Sequence, residues 1–122
     1  MQRDIRSSVL LMALCALVLA ACSDPVPAIG RGLPKTFAEA APYFDNRIKE
    51  RFPIGSDEET LRAELHGEGF TIKELHDPSS RYRLSALYEG HDLACKESWN
   101  VQWTAEGGKI QDIEGKYGQV CL

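Results

Sequence analysis

The spacing of apolar residues changes near residue 70 of this 122-residue chain. Before that point they recur every three or four residues, which is the period of one helix face. After it they alternate with polar residues, which is the period of a strand. The helical segments carry Phe37, Ala41, Phe44, Ile48 and Phe52, then Leu61 and Leu65. The sequence therefore predicts an α+β domain over residues 36–122, with two N-terminal helices packed on one face of a four-stranded antiparallel meander.

Each predicted helix carries an N-terminal signal. Thr36 with Glu39, and Ser56 with Glu59, have the spacing of a capping box, in which the two side chains bind backbone N–H groups of the first turn. Pro42 interrupts the first apolar stripe. Because proline lacks the N–H that a helix needs, the pattern predicts a kink or a separate short helix at this point.

The last two strands are predicted to form a hairpin around Gly107-Gly108. If Cys95 faces Cys121 across it, one face is apolar or small and the other is polar, whereas a slip of one residue mixes them. Ile110 falls outside this alternation and predicts a three-residue loop or a bulge at the turn. The facing pairs are Trp99–Tyr117, Val101–Gly115 and Trp103–Ile113 on one face, and Asn100–Lys116, Gln102–Glu114 and Thr104–Asp112 on the other.

The first 21 residues do not follow the pattern of the domain. Arg3 and Arg6 precede an apolar run over residues 9–21, which is shorter than the roughly 20 residues that span a bilayer and is typical of a secretory signal. The run ends in Leu19-Ala20-Ala21-Cys22, which resembles the lipobox of bacterial lipoproteins. The resemblance implies that residues 1–21 are removed and that Cys22 is lipidated. The alternative is an ordinary cleaved signal that carries a cysteine by coincidence.

Residues 22–35 are predicted to be the lipidated cysteine and a flexible tether, because residues 23–35 hold three prolines and two glycines without a periodic pattern. The chain would then be anchored in the bacterial envelope and face the periplasm. Ser23 stands where an aspartate commonly retains lipoproteins at the inner membrane, which favours the outer membrane. Asp24, one place later, acts against that preference.

Processing would leave two cysteines, Cys95 and Cys121. An isolated pair in an oxidising compartment is most simply a structural disulfide, with a redox role as the alternative. The net charge is −4 at pH 7, and no basic stripe indicates a nucleic-acid partner.

No arrangement of reactive residues predicts catalysis, a metal site or a cofactor. The histidines His66, His76 and His91 lack the i, i+4 spacing of a zinc enzyme. A site formed by His91, Asp92 and Cys95 would compete with the disulfide. The acidic residues Glu58, Glu59, Glu64 and Glu68 are typical of a solvated helix face, and no nucleophile elbow is present. We therefore expect a protein that is not an enzyme.

Two surfaces could bind a partner. The aromatic residues Tyr82, Tyr88, Trp99, Trp103 and Tyr117 could form a binding face, although their alternation is more typical of the core beneath the helices. The basic residues Lys73, Arg81 and Arg83 would share the opposite face of the sheet. That strip is the candidate for an acidic partner, against the simpler interpretation of a solvated surface.

The order of helices and strands resembles the BamE (SmpA/OmlA) group of outer-membrane lipoproteins and the related fold of the β-lactamase inhibitor protein. The segments that carry the resemblance are residues 53–61, residues 99–103 and Lys109-Ile110. The resemblance implies the fold and a non-catalytic role in the envelope.

We therefore expect a lipid-anchored protein-interaction or scaffold module, held at the membrane through Cys22 and bound to an envelope protein that the sequence does not identify. The alternative is a periplasmic inhibitor or immunity protein. An inhibitor would use loops such as residues 89–93 or the Gly107-Gly108 turn, whereas a scaffold would expose an apolar strip.

Overall fold

A computed structural model of the protein describes residues 25–91 and 94–122. The predicted signal peptide, residues 1–21, and the lipidation site Cys22 lie outside the described residues. Asp92 and Leu93, in the connection between the second and third strands, do so as well.

The described part contains two helices followed by one sheet. The helices are α1 (Phe37–Arg51) and α2 (Glu58–Gly67), and the strands are β1 (Thr71–Glu74), β2 (Leu84–His91), β3 (Cys95–Glu106) and β4 (Lys109–Cys121). The strands pair in the order β1-β2-β3-β4, and every neighbouring pair is antiparallel. The predicted α+β class and the four-stranded antiparallel meander are confirmed.

The core lies between the helices and one face of the sheet. Its fully buried side chains come from both layers: Phe44, Ile48, Leu61 and Leu65 from the helices, and Ala86, Trp99, Val101, Trp103 and Ile113 from the strands. The buried positions of α1 are Ala40, Phe44 and Ile48, and Phe52 follows directly after the helix. Phe37 was expected in this stripe but is 53% exposed, because the first turn of α1 extends past the core. Its ring lies beside the half-buried Tyr117.

The helix starts differ in detail from the capping boxes. Thr36 precedes α1 but makes no side-chain capping bond, and its backbone oxygen accepts from the Ala40 N–H at 2.9 Å. The cap of α2 is Asp57, one residue after the predicted Ser56, and its carboxylate accepts from the Thr60 N–H at 3.0 Å. The chain stays helical through Pro42, which lies close enough to the N-terminus that few backbone bonds are lost.

The β3–β4 hairpin has the predicted register. Cys95 faces Cys121, and the six further pairs named above are all present. The register shifts between Thr104 and Ala105, so Ile110 faces Ala105 through a bulge and becomes fully buried. Gly107 and Gly108 form the turn with φ of 58° and 76°, the left-handed conformation that a two-residue hairpin turn requires.

Residues 25–31 differ from the predicted flexible tether. Pro27 is fully buried, Ile29 is 4% exposed, and residues 28–30 form a short 3₁₀ turn. The Ile29 N–H donates to Glu68 Oε1 at 2.8 Å, and Arg47 Nη1 donates to the Ile29 carbonyl at 2.9 Å. The packed part of the chain therefore begins before residue 36, because an apolar side chain and two side-chain hydrogen bonds hold this segment to the helices.

Candidate functional site

The two cysteines join the free ends of the last hairpin. Cys95 Sγ and Cys121 Sγ are 2.07 Å apart, and the Cα atoms are 4.0 Å apart. The predicted pairing is confirmed at disulfide distance. We call this end of the sheet, where β3 begins and β4 finishes, the disulfide end, and the opposite end, around Gly107-Gly108, the turn end.

The disulfide end exposes apolar side chains. Val120 is 72% exposed, Leu122 is fully exposed, and Phe37 is half exposed beside Tyr117. Val120 faces Lys96 across the hairpin, and the Leu122 N–H donates to the Ala94 carbonyl at 2.9 Å, so both positions are fixed by backbone pairing.

The N-terminal segment also lies at the disulfide end. A Cβ built on Gly90, the next-to-last residue of β2, would clash with the Pro25 carbonyl oxygen. Gly90 pairs with Glu97, and the next pair is His91 with Lys96. Pro25 and Val26 share a shallow depression of about 140 Å³ with Gly90, His91 and Glu97. The first described residues are therefore fixed beside the same sheet end that carries the disulfide.

The turn end is closed by hydrogen bonds to the loop before α2. The Glu58 N–H donates to the Gly108 carbonyl at 2.9 Å, and the Gly55 N–H donates to the Ile110 carbonyl at 2.8 Å. The Ile110 N–H donates back to the Ser56 carbonyl at 2.9 Å. One large apolar side chain, Ile54, remains exposed here, at 62%.

The open face of the sheet carries a charged group at the turn end. Arg81 forms an ion pair with Asp112, and Thr104 Oγ1 donates to the Arg81 carbonyl at 3.2 Å. Burial, together with a hydrogen bond to Glu114, raises the pKa of Tyr82 to about 12. Because an acidic partner already accompanies Arg81, the predicted basic strip is partly neutralised within the protein.

The aromatic residues divide between the two faces. Trp99 and Trp103 are buried in the core, and Tyr88 and Tyr117 pack against Trp99 with ring centroids 5.9 and 5.7 Å away. Tyr82 was expected with them but bonds to Glu114, which lies on the opposite face, because the chain leaves the strand alternation before β2 begins at Leu84. These residues do not form one exposed aromatic surface.

A depression of about 870 Å³ is an open groove between the N-terminal segment, the end of α2 and β2. Its least exposed carboxylate is Glu68, whose side chain is 13% exposed, accepts from the Ile29 N–H and lies 3.1 Å from Arg51 Nη1. The groove is also lined by Val26, Pro27, Ala28, Arg31, Gly67, Gly69, Thr71, Leu87, Tyr88 and Glu89. Its carboxylate is thus occupied in holding the segment in place.

The histidines are not brought together. His66 lies in the last turn of α2, His76 follows β1, and His91 ends β2. Since β1 ends opposite Leu84, His76 and His91 lie near opposite ends of β2, about 20 Å apart. Over residues 25–91 and 94–122, no three histidine, cysteine or carboxylate side chains are grouped as metal ligands.

In that same part of the chain, no helix has the length and apolar character needed to cross a membrane.

No protein-family model, no curated protein and no solved structure matches this chain.

Proposed function

We propose that this chain is a lipid-anchored envelope lipoprotein that acts in the periplasm as a non-enzymatic protein-interaction or scaffold module. The observation that carries the proposal is Leu19-Ala20-Ala21-Cys22 at the end of a short apolar run that follows two arginines. Diacylglycerol on the Cys22 thiol and a fatty acid on the new amine would give several acyl chains, which hold a protein stably on a membrane. The outer membrane is the proposed location.

The pairing of Cys95 with Cys121 supports this location. Disulfides persist in oxidising compartments such as the periplasm and are rare in a reducing cytosol. The exposed Val120 and Leu122 support a role in contact with another component of the envelope, since an exposed apolar patch on a small domain marks a protein or membrane contact surface. The dispersed histidines and the internally paired Glu68 favour binding over catalysis.

Metabolic labelling with radioactive palmitate tests the anchor. Cys22→Ala should abolish label uptake and retain the uncleaved precursor, because the acceptor thiol is gone. Cys15→Ala is the matched control, since this cysteine lies in the predicted signal and should leave labelling and membrane fractionation unchanged. Label uptake by the Cys22→Ala variant, or an unlabelled native chain, would contradict the proposal.

Crosslinking of the membrane-bound protein in cells, followed by mass spectrometry, tests the interaction role. A scaffold should form crosslinks to one discrete envelope protein, and these crosslinked products should remain after washing in detergent.

Separation of inner and outer membranes on a density gradient tests the location. Recovery of the protein with the inner membrane would contradict the outer-membrane location, whereas the proposed lipidation of Cys22 would still stand.

A further inference from the structure

We infer that the disulfide end rests on the surface of the phospholipid bilayer, so that the domain is held against the membrane in one orientation. This inference rests on the proposed lipidation of Cys22. It follows from the short length of chain between Cys22 and the packed N-terminal segment, and from the apolar side chains at the sheet end where that segment begins.

The distance from the lipid to the domain is limited by covalent geometry. Pro25 is the third residue after Cys22, and an extended chain spans at most about 3.6 Å per residue, so the two are no more than about 11 Å apart. Pro25 cannot move away freely, because Pro27 and Ile29 are buried and the Ile29 N–H donates to Glu68 directly after α2. The lipid would thus hold one particular part of the surface close to the bilayer.

That part of the surface is the disulfide end. Pro25 contacts Gly90, and Gly90 lies two strands away from Gln119 through Glu97, a separation of about 10 Å. Val120 directly follows Gln119, and Leu122 lies two residues further on. The exposed Ile54 lies beside the turn end, about 30 Å away along the strands. Of Val120 and Ile54, only Val120 can therefore reach the headgroups.

The chemistry of the disulfide end fits lipid. Val120 and Leu122 are apolar and largely exposed, and Phe37 adds a half-exposed ring on the helix side. Lys96 faces Val120 and forms an ion pair with Glu89 at 2.9 Å. The positive charge of Lys96 at this end is therefore balanced by the carboxylate of Glu89. Apolar side chains set at the headgroup boundary of a bilayer are stabilised by the area that they bury there.

Site-specific photocrosslinking tests the orientation. The full-length lipoprotein is produced with a benzophenone amino acid in place of Val120, and with the same residue in place of Ile54 as the matched control, since both side chains are more than half exposed. Each protein is reconstituted into vesicles of phosphatidylethanolamine and phosphatidylglycerol, and adducts with phospholipid are measured by mass spectrometry. We expect several-fold more lipid adduct at 120 than at 54. Melting curves verify that both variants are folded.

The outcomes separate this inference from the proposed function. Equal lipid adducts at the two positions, in a protein whose N-terminal peptide carries lipid on Cys22, would overturn the orientation and leave the lipoprotein proposal standing. Adducts at 120 with a protein in native membranes, and few with lipid, would overturn it in favour of a protein-docking surface. An unmodified Cys22 would overturn the proposed function, and this inference with it.

Discussion

The two ends of the β3–β4 hairpin are closed by different means. At the turn end two glycines reverse the chain, and backbone hydrogen bonds join the hairpin to the loop before α2. The side chain of Ile110 is fully buried here. At the disulfide end the strands finish without a turn between them, a covalent bond holds them together, and Val120 and Leu122 remain exposed. Where a turn connects β3 to β4, glycines and backbone hydrogen bonds are enough to hold the strands together. Where no turn connects them, the disulfide holds the strands, and apolar side chains remain exposed for an external contact.

Removing the disulfide should have the largest effect on stability. The Cys95→Ala/Cys121→Ala double variant opens a loop with a sequence separation of 26 residues, and chain entropy assigns about 3–4 kcal/mol to closing such a loop. Denaturant unfolding should show this loss. Reduced wild-type protein is the control and should match the variant. An unchanged free energy of unfolding would mean that backbone pairing alone holds this end.

Alkaline pH should act mainly at the turn end. The pKa of Tyr82 is about 12 in the folded protein against an ordinary value of 10.0, because of burial and the bond to Glu114. The folded state keeps this proton longer than the unfolded state, so the stabilisation is complete below pH 10 and is lost as the pH rises towards 12. The loss should be no more than about 2 kcal/mol, because solvent screening near the surface reduces the effect of the pKa shift on the free energy of unfolding.

Urea unfolding at several pH values between 9 and 12, extrapolated to water, measures this loss. Tyr82→Phe should remove most of the decline. Burial also raises the pKa of Tyr117, near the disulfide end, so Tyr117→Phe should leave the larger part of the decline in place. The same pH dependence in wild type and Tyr82→Phe would show that the phenol is not the responsible group.

Adding a methyl group at Gly30 should release the N-terminal segment. A Cβ at this position would lie 2.6 Å from Trp99 Nε1, so the segment must shift away from the core at a cost of about 2 kcal/mol. Gly30→Ala should lower the melting temperature and make residues 25–31 more sensitive to protease. The control is Gly67→Ala, where no atom lies within 4 Å of the new Cβ. Equal stability of the two variants would argue against the packed segment.

The smallest effect should come from the turn itself. Gly108 has a φ of 76°, and an alanine in the left-handed region costs about 1–2 kcal/mol, so we expect about 1 kcal/mol for Gly108→Ala in this exposed turn. The disulfide variant should therefore lose more than the turn variant in the same denaturation assay. The reverse order would show that the turn, and not the disulfide, is the principal closure of the hairpin.

The register of the last hairpin could be predicted because two independent constraints agree. The side chains of a strand alternate with a strict period of two, and the cysteine pair selects one alignment of the two strands out of several. Because Ile110 does not fit that alignment, the irregularity at this point could be predicted as well. The helices could be predicted from their stripes, although a stripe does not reveal where the sheet beneath it ends. This explains why Phe37 is exposed and Ala40 is buried in its place.

Two features could not be predicted from periodicity. The packed segment around Pro27 and Ile29 is too short to show a period, and its contacts depend on Glu68 and Arg47, which are distant in sequence. The one available signal was Gly90 inside a strand, since such a glycine often marks the close approach of another backbone segment. Tyr82 lies on the opposite face because the alternation breaks between it and β2.

The most direct test of the difference between the two ends is hydrogen exchange of the lipidated protein on vesicles. An insertion of 12 glycine and serine residues between Asp24 and Pro25 provides the comparison, because a linker of that kind adds about 20 Å of flexible reach. With the native spacing, amides of residues 117–122 should exchange more slowly than in the extended variant, while those of residues 106–110 should exchange at equal rates in both. Equal exchange at residues 117–122 in the two proteins would contradict the account.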